Sequence, residues 1–361
     1  MKRTVIPFGP QHPVLPEPIV LDLILEDERV VDAVPTIGYI HRGLEMMVER
    51  VEYTEMGFVV ERICGICSFM HGMGYCLSLE TIMNVEVPDR AKWLRLIWAE
   101  ISRIQSHLLW LGLGADAFGF ENLFMHCWRM REEILDIFEK TTGGRVIHSV
   151  NRIGGVKRDV SDAELAAILV RLEELGKAFK KTASVFATDP SIAHRLVGVG
   201  VLSPEDALST ASVGPMARAS GLATDTRLGG ANLYDQIDFQ PVVETAGDCL
   251  ARVAVRLREV EQSIGIIRQA IDKMPKGEGL PLENRPRGNP AGEAFTRLEQ
   301  PRGEVVYYVK ANGTKYLERF RARTPTFANI PAMIQLVKGC ELADVPNIIL
   351  TIDPCISCTE R

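Results

Sequence analysis

"ERICGICSFMHGMG" (61–74) has a counterpart at the far end of the chain, "DPCISCTER" (353–361), and each stretch holds a Cys-x-x-Cys pair. Cys64 and Cys67 stand at i and i+3, and His71 follows Cys67 at i+4, so on a helix all three share one face. Gly65, Gly72 and Gly74 keep that segment slim enough for something to approach its backbone closely. In the second pair, Pro354 stiffens the approach to Cys355, and Cys358 lies three residues before Arg361. Chain termini are usually frayed. A cysteine pair there is useful only when the terminus is tied into the body, and a shared metal would tie it.

A single Cys-x-x-Cys can be redox-active, structural or accidental. Zinc ribbons separate their two pairs by roughly 15–20 residues, whereas Cys67 and Cys355 are 355 − 67 = 288 positions apart. A zinc-stabilised scaffold is therefore disfavoured. Neither pair sits in a βαβ pattern, which argues against a thioredoxin-like role. Iron–sulfur ligands come in compact runs. What remains is a soft-metal centre between the chain's two ends, held by four thiolates.

The rest of the composition fits an ordinary globular protein. Of 361 residues, 46% are hydrophobic and 24% charged, with a net charge of −6, so nothing suggests nucleic-acid binding. "MKRTVIPFGP" lacks the apolar core of a signal peptide, and no run approaches the ~18 apolar residues of a membrane span. A cytoplasmic chain is expected, with its eight cysteines reduced.

The fold class expected is α+β and mainly helical: a core of long helices with small β elements near both ends. Residues 19–34 alternate around "EDER" and predict a β-hairpin. Within 90–118, Leu94, Ile97, Trp98, Ile101, Ile104 and Leu108 form one helical stripe. A second helix follows and stops at Gly143-Gly144. A third is capped by Ser161 or Asp162, and a fourth spans 245–274. Residues 275–294 are loop-like, Asn312-Gly313 predicts a hairpin turn, and "NIILTID" is strand-like. A single domain over 1–361 is expected, divided into an N-terminal β region (1–42), a helical body (43–274) and a C-terminal segment (275–361).

"RGLE" (42–45), "RICGIC" (62–67) with His71, "EQPRGE" (299–304) and "DPCISC" (353–358) resemble the large, catalytic subunit of nickel–iron hydrogenases. "GPQHPVLPEP", "RIQSHLLWLG", "NRIGGV", "SGLATDTR" and "YDQIDF" are similar to the membrane-bound, energy-converting (Ech-type) branch, which is related to the 49-kDa-type subunit of complex I. The resemblance covers the whole chain. It implies reversible H2 oxidation at a nickel–iron centre, with Cys64 and Cys355 as terminal thiolates on nickel and Cys67 and Cys358 as bridges to iron. The iron would carry cyanide and carbon monoxide. A terminal thiolate can accept the proton when H2 is split.

By the same resemblance, Arg302 faces the diatomic ligands with its fork of donors, although composition alone would make an arginine between Pro301 and Gly303 an exposed loop residue. Glu17 is the proton-relay carboxylate. His71, Asp353 and Thr324 hydrogen-bond around the cluster. Glu45 corresponds to a ligand of a magnesium-like accessory metal whose second partner is a C-terminal histidine. This chain has Arg361 there, so a salt bridge is the alternative. Many relatives carry an extension that is cut off after this position. His12 is similar to a quinone-site loop residue, and no quinone function is carried over. Cys76, Cys127, Cys249 and Cys340 are expected as buried small hydrophobes.

The implied partners are a small subunit carrying [4Fe-4S] clusters, further soluble and integral membrane subunits, and ferredoxin, on the cytoplasmic face of a membrane. The alternatives are a module coupled to carbon monoxide or formate oxidation, and a metal-free structural subunit of a complex I-like assembly.

Overall fold

Leu21, Leu23 and Leu25 are buried while Asp22, Ile24 and Glu26 are only partly covered, and this alternation folds the N-terminus into a sheet with one face on the core. The computed structural model describes residues 3–361. Its strands β1 (Arg3–Phe8), β2 (Val20–Glu26) and β3 (Arg29–Thr36) pair antiparallel in that order. The hairpin expected at 19–34 is β2–β3, turning at Asp27 and Glu28. Strand β1 was not anticipated. It leaves Val5 and Ile6 exposed, so it carries no alternating pattern to recognise.

A 3-10 turn (Leu44–Glu49) leads to helices α1 (Tyr53–Glu61), α2 (Ser68–Met83), α3 (Asp89–Ala117) and α4 (Glu121–Thr142). Helix α3 is the axis of the body. Its apolar stripe is buried as expected, but so is its polar side, including Arg95, Glu100, Arg103 and His107. Two-residue strands β4 (Asn151–Arg152) and β5 (Gly155–Val156) interrupt the helical body, followed by α5 (Asp162–Thr188). Ser161 and Glu164 form a capping box at its start. Short helices α6 (Pro190–Leu196), α7 (Pro204–Ser209) and α8 (Pro215–Ala219) precede α9 (Cys249–Lys273), which packs along α3. Helix α9 begins four residues later than expected, because Asp248 caps it by accepting from the Ala251 N–H at 2.8 Å.

The C-terminal sheet has three antiparallel strands, β6 (Ala291–Gln300), β7 (Gly303–Asn312) and β8 (Leu317–Arg323). The turn after Asn312 is where the sequence puts it. The loop expected to run to 294 yields to β6 from Ala291. Helices α10 (Pro325–Val337), α11 (Val345–Ile352) and α12 (Ile356–Glu360) complete the chain. Helix α11 corrects the strand-like reading of "NIILTID". Pro346 pre-sets its first turn, and a fully buried apolar run carries no period to distinguish strand from helix. Among the described residues no strand pairs with it; instead the Trp110 indole N–H donates to the Leu350 carbonyl (2.7 Å) and Arg252 to the Thr351 hydroxyl (3.1 Å).

The two ends of the chain meet. The Val30 N–H donates to the Cys340 carbonyl (3.0 Å) and the Leu342 N–H to Glu28 (2.9 Å), and α10 packs on β3. The cysteine pairs are thereby carried to one place.

Candidate metal centre

Cys64 and Cys67 do not share a helix face. Helix α1 ends at Glu61, the chain then loops, and Cys67 is the residue on which α2 starts, so only His71 is helical. Arg42 holds the loop by donating to the carbonyls of Arg62 (2.9 Å) and Ile63 (2.7 Å), and Gln105 donates to that of Ile66 (2.6 Å). At the other end, α11 finishes with Asp353 in the left-handed region (φ 60°), which turns the chain into Pro354-Cys355. The Cys355 N–H donates to Thr326 Oγ1 (3.0 Å), Thr324 Oγ1 donates to the Cys358 carbonyl (3.0 Å), and the Ser357 N–H donates to Glu17 Oε2 (2.8 Å). Glu360 accepts the N–H groups of Gly38 (2.5 Å) and Ile40 (2.6 Å).

These loops bring four sulfurs together. Those of Cys64, Cys67 and Cys358 lie within 4.8 Å of one another, and Cys355 Sγ is 3.3 Å from Cys64 Sγ. Cys67 and Cys358 are also 3.3 Å apart, far beyond a disulfide bond. All four are buried. Hydrogen bonds from the neighbouring thiols and the Arg302 charge hold the Cys64 thiol well below its ordinary pKa, while burial pushes Cys67 and Cys358 well above theirs. Four thiols in a sealed space ionise together only with a cation among them. The donor set is that of a soft transition metal.

Arg302, in the tight turn between β6 and β7, is 7% exposed, so it is not a surface loop residue. Its Nη2 lies 2.9 Å from Asp353 Oδ1 and its Nε donates to the Asp353 carbonyl at 3.0 Å. Arg302 Nη1 and Asp353 Oδ2 are both buried and have no partner among the described residues. A native core rarely leaves such a donor and acceptor unmatched. Beside four thiols, they fit a metal that carries small polar ligands of its own.

His71 Nε2 is 3.4 Å from Cys358 Sγ, and its Nδ1 is 2.8 Å from the Tyr307 hydroxyl. Burial pushes the His71 pKa down to about 4, so the ring is neutral. With Tyr307 donating to Nδ1, the remaining N–H at Nε2 points to the cysteine sulfur. Tyr307 reaches this position only because residue 74 is glycine: a Cβ there would lie 2.1 Å from the Tyr307 ring. Tyr307, Thr326 and Ser357 were not anticipated. Tyr307 is 236 positions from His71, and no local pattern links them.

Glu45 and Arg361 adopt the ion-pair arrangement. Glu45 Oε1 accepts from Arg361 Nε (2.7 Å) and from the Ala322 N–H (3.0 Å), and Oε2 pairs with Arg321. Backbone and arginine donors hold this carboxyl below its ordinary range against the opposing pull of burial. His12 stacks on Phe8 (4.2 Å between centroids) in the Pro-rich loop before Glu17. Cys76, Cys127 and Cys249 are buried as expected, and Cys340 is half-buried.

Glu61, which ends α1, also escaped the sequence reading. Its carboxylate accepts from the Ser149 N–H (2.9 Å) and hydroxyl (3.0 Å), and burial pushes its pKa up to about 7. A carboxyl with a raised folded pKa favours the fold when protonated. Stability is therefore expected to fall as pH rises from about 4.5 through 7, by about 3 kcal/mol. Glu61→Gln should flatten that slope in denaturant midpoints measured across the range. An unchanged slope would mean that Glu61 titrates normally.

A family model described as "Respiratory-chain NADH dehydrogenase, 49 Kd subunit" matches residues 117–288 and 282–361, and one described as "Nickel-dependent hydrogenase" matches 42–112, the segment with the first cysteine pair. The carbon monoxide-induced hydrogenase of Rhodospirillum rubrum is 38% identical, with all of both chains covered. A subunit of the F(420)H(2) dehydrogenase of Methanosarcina mazei is 37% identical over 99% of this chain and 97% of its own. A chain in the structure of the membrane-bound sulfane sulfur reductase, an archaeal respiratory membrane complex, superposes with a TM-score of 0.93 at 32% identity, covering 99% of this chain and 98% of that one. Among the described residues, no helix is long and apolar enough to cross a membrane.

Proposed function

Since the chain belongs to the family of complex I 49-kDa-type subunits and membrane-bound hydrogenase large subunits, we propose that it is the catalytic subunit of an energy-converting nickel–iron hydrogenase. The observation that carries this reading is the convergence of four buried thiols from both chain ends beside an unmatched arginine donor. Cys64, Cys67, Cys355 and Cys358 would together hold the nickel–iron centre. When bound, such a centre supplies the redox-active Lewis acid at which H2 = 2 H+ + 2 e− proceeds.

The chain's own residues do the rest. Arg302 Nη1, buried without a partner among the described residues, would donate to small polar ligands carried by the metal, and Asp353 fixes the guanidinium's orientation. His71 stabilises the Cys358 sulfur. Glu17 accepts from the Ser357 N–H, and Ser357 Oγ is 3.3 Å from Cys355 Sγ. A cleft of about 410 Å³, bounded by His12, Pro16 and Glu17, opens beside that carboxylate. It offers protons a way between solvent and the thiolate. Arg361 and Arg321 give Glu45 cationic partners, which favours the salt bridge over an accessory metal in this reading.

Electrons must come from elsewhere, because the remaining cysteines are scattered singly. The reading therefore includes an iron–sulfur small subunit, membrane subunits that couple turnover to ion movement, and ferredoxin as donor, with the chain peripheral on the cytoplasmic face. The similarity to part of a dehydrogenase and to a reductase complex sustains a second reading, an electron-transferring subunit without hydrogen chemistry.

Metal analysis and infrared spectroscopy on the complex purified without oxygen decide between them. Nickel with metal-bound cyanide and carbonyl bands supports the hydrogenase, whereas zinc or no metal leaves the second reading. Glu17→Gln keeps the acceptor for Ser357 but has no proton to exchange. It is expected to lower H2 evolution about 10²-fold with nickel content unchanged. Full activity in that variant would remove Glu17 from the proton route.

A further inference from the structure

A cavity of about 200 Å³ begins at Glu61, three residues before Cys64, and has no part in the reading above. Glu61 and Asn151 both border it, and both are buried, at 2% and 9% exposure. Each keeps one oxygen without a partner among the described residues. Glu61 commits Oε2 to the Ser149 N–H (2.9 Å) and hydroxyl (3.0 Å), while Oε1 accepts from nothing. Asn151 donates from Nδ2 to the Phe69 carbonyl (3.2 Å), and its Oδ1 is unmatched. Two orphan acceptors on one cavity call for a donor that serves both. Gly72 makes the room for the carboxyl: a Cβ there would lie 2.6 Å from Glu61 Oε1.

Water is the donor at hand. Thr54 and Arg285, both exposed, stand at the rim, so the cavity opens to solvent. At about 30 Å³ per molecule it has room for several waters, and a held water needs at least two polar partners.

The charges around Glu61 leave it able to change state. Arg62 and Arg152 act on it through space, and neither forms an ion pair with it. Arg152 lies 5.1 Å over the Phe58 ring, and Arg285 is paired with Glu283 (3.2 Å). Burial keeps Tyr53, Tyr75 and Cys76 protonated and holds His148 at about 4, so these neighbours are neutral. Burial against the Ser149 donors brings Glu61 itself to about 7.

The carboxyl is also fastened to the thiolate site. Ser149, in the left-handed region (φ 48°), follows closely on Val146, whose carbonyl accepts from the Ser68 hydroxyl beside Cys67. A Cβ on Gly65, between the two cysteines, would lie 3.1 Å from Val146. One short segment thus braces both the cysteine loop and Glu61.

We propose that this cavity is a second proton port, in which a water bridging Glu61 Oε1 and Asn151 Oδ1 passes protons between solvent and Glu61, beside the loop through Cys64 and Cys67. On release the Glu61 O–H bond breaks and its proton moves to the bridging water, leaving a carboxylate and a hydronium ion; uptake is the reverse. That these protons feed the metal centre rests on the hydrogenase reading, whereas the port itself does not.

The port is tested by infrared spectroscopy of the full chain, for which no nickel is needed. Subtracting the Glu61→Gln spectrum should leave one protonated-carboxyl band that shifts promptly in heavy water and fades as pH rises through about 7. Asn151→Leu, which removes the second anchor of the water, should move that band. A difference spectrum without the band, or a band unmoved in Asn151→Leu, overturns the port. Should Asn151→Leu fail to fold, a crystallographic map of the unaltered chain that resolves ordered water must show one within hydrogen-bond distance of both oxygens. A dry floor overturns the port as well. In the intact complex, H2 evolution should fall as pH rises through about 7 and lose that inflection in Glu61→Gln, at unchanged nickel content. An inflection that remains overturns the supply of protons from Glu61 to the centre.

Discussion

Cys358→Ser is expected to leave a folded protein that retains no nickel and shows no measurable H2 turnover. Serine is a hard, neutral donor in place of a soft thiolate, at a position where two buried contacts, to Cys67 and His71, converge on one sulfur. Changing an outer partner such as His71 typically costs 10- to 100-fold in metal affinity or activity, so loss of the ligand itself should exceed about 10²-fold. Helical content by circular dichroism should change little, because the site lies where loops meet the ends of short helices. Nickel content at the level of the unaltered protein in Cys358→Ser would show that the sulfur is not a ligand. A His71→Ala variant impaired more than Cys358→Ser would reverse the roles given to the two residues.

Arg302→Met should damage both stability and catalysis, and the two losses can be separated. Removing the guanidinium strands the Asp353 carboxylate, 3% exposed, without a charge partner. Breaking a buried pair from one side costs about 3–5 kcal/mol, so the denaturation midpoint should fall sharply. Arg302→Met with Asp353→Asn removes both charges and should recover most of that stability. It should not recover activity, because in the proposed function Nη1, the guanidinium nitrogen left without a partner among the described residues, is the donor to the centre. A loss on the order of 10²- to 10³-fold is expected, as for other preorganised donors. If the double variant regained activity along with stability, Arg302 would be a structural residue only.

The parts of this molecule that were legible in the sequence are those governed by local periodicity. The β2–β3 hairpin, the apolar stripe of α3, the Ser161 cap and the Asn312 turn each depend on residues within a few positions of one another. The two cysteine pairs were legible as motifs, and their resemblance to a known family supplied roles that spacing could not. Other features depended on tertiary context. In helix α11 the run 348–352 is wholly buried, so that stretch shows no exposed residue to mark a helical period. The loop through Cys64 looks helical in sequence because Cys-x-x-Cys spacing fits a helical turn equally well. The charged side of α3 looks like a solvated face until α8, α9 and β6 are placed against it. Glu61, Tyr307 and Thr326 act across separations at which sequence proximity carries no signal.

The meeting of the chain's ends also sets a timetable for synthesis. At roughly 5–20 residues per second, the 288 positions between Cys67 and Cys355 take on the order of 15 to 60 s to translate. Throughout that interval Cys64 and Cys67 have no α12 to cover them and no Cys355 or Cys358 to complete the site. Two thiols left accessible for so long are open to oxidation and to capture by the wrong metal. A site completed by residues made so late is expected to close after the helical body has formed, when residues 353–361 pack against α2 and α10. Chains halted before Asp353 should be native-like in their helices and yet have Cys64 and Cys67 rapidly alkylated, while the finished protein resists the same reagent.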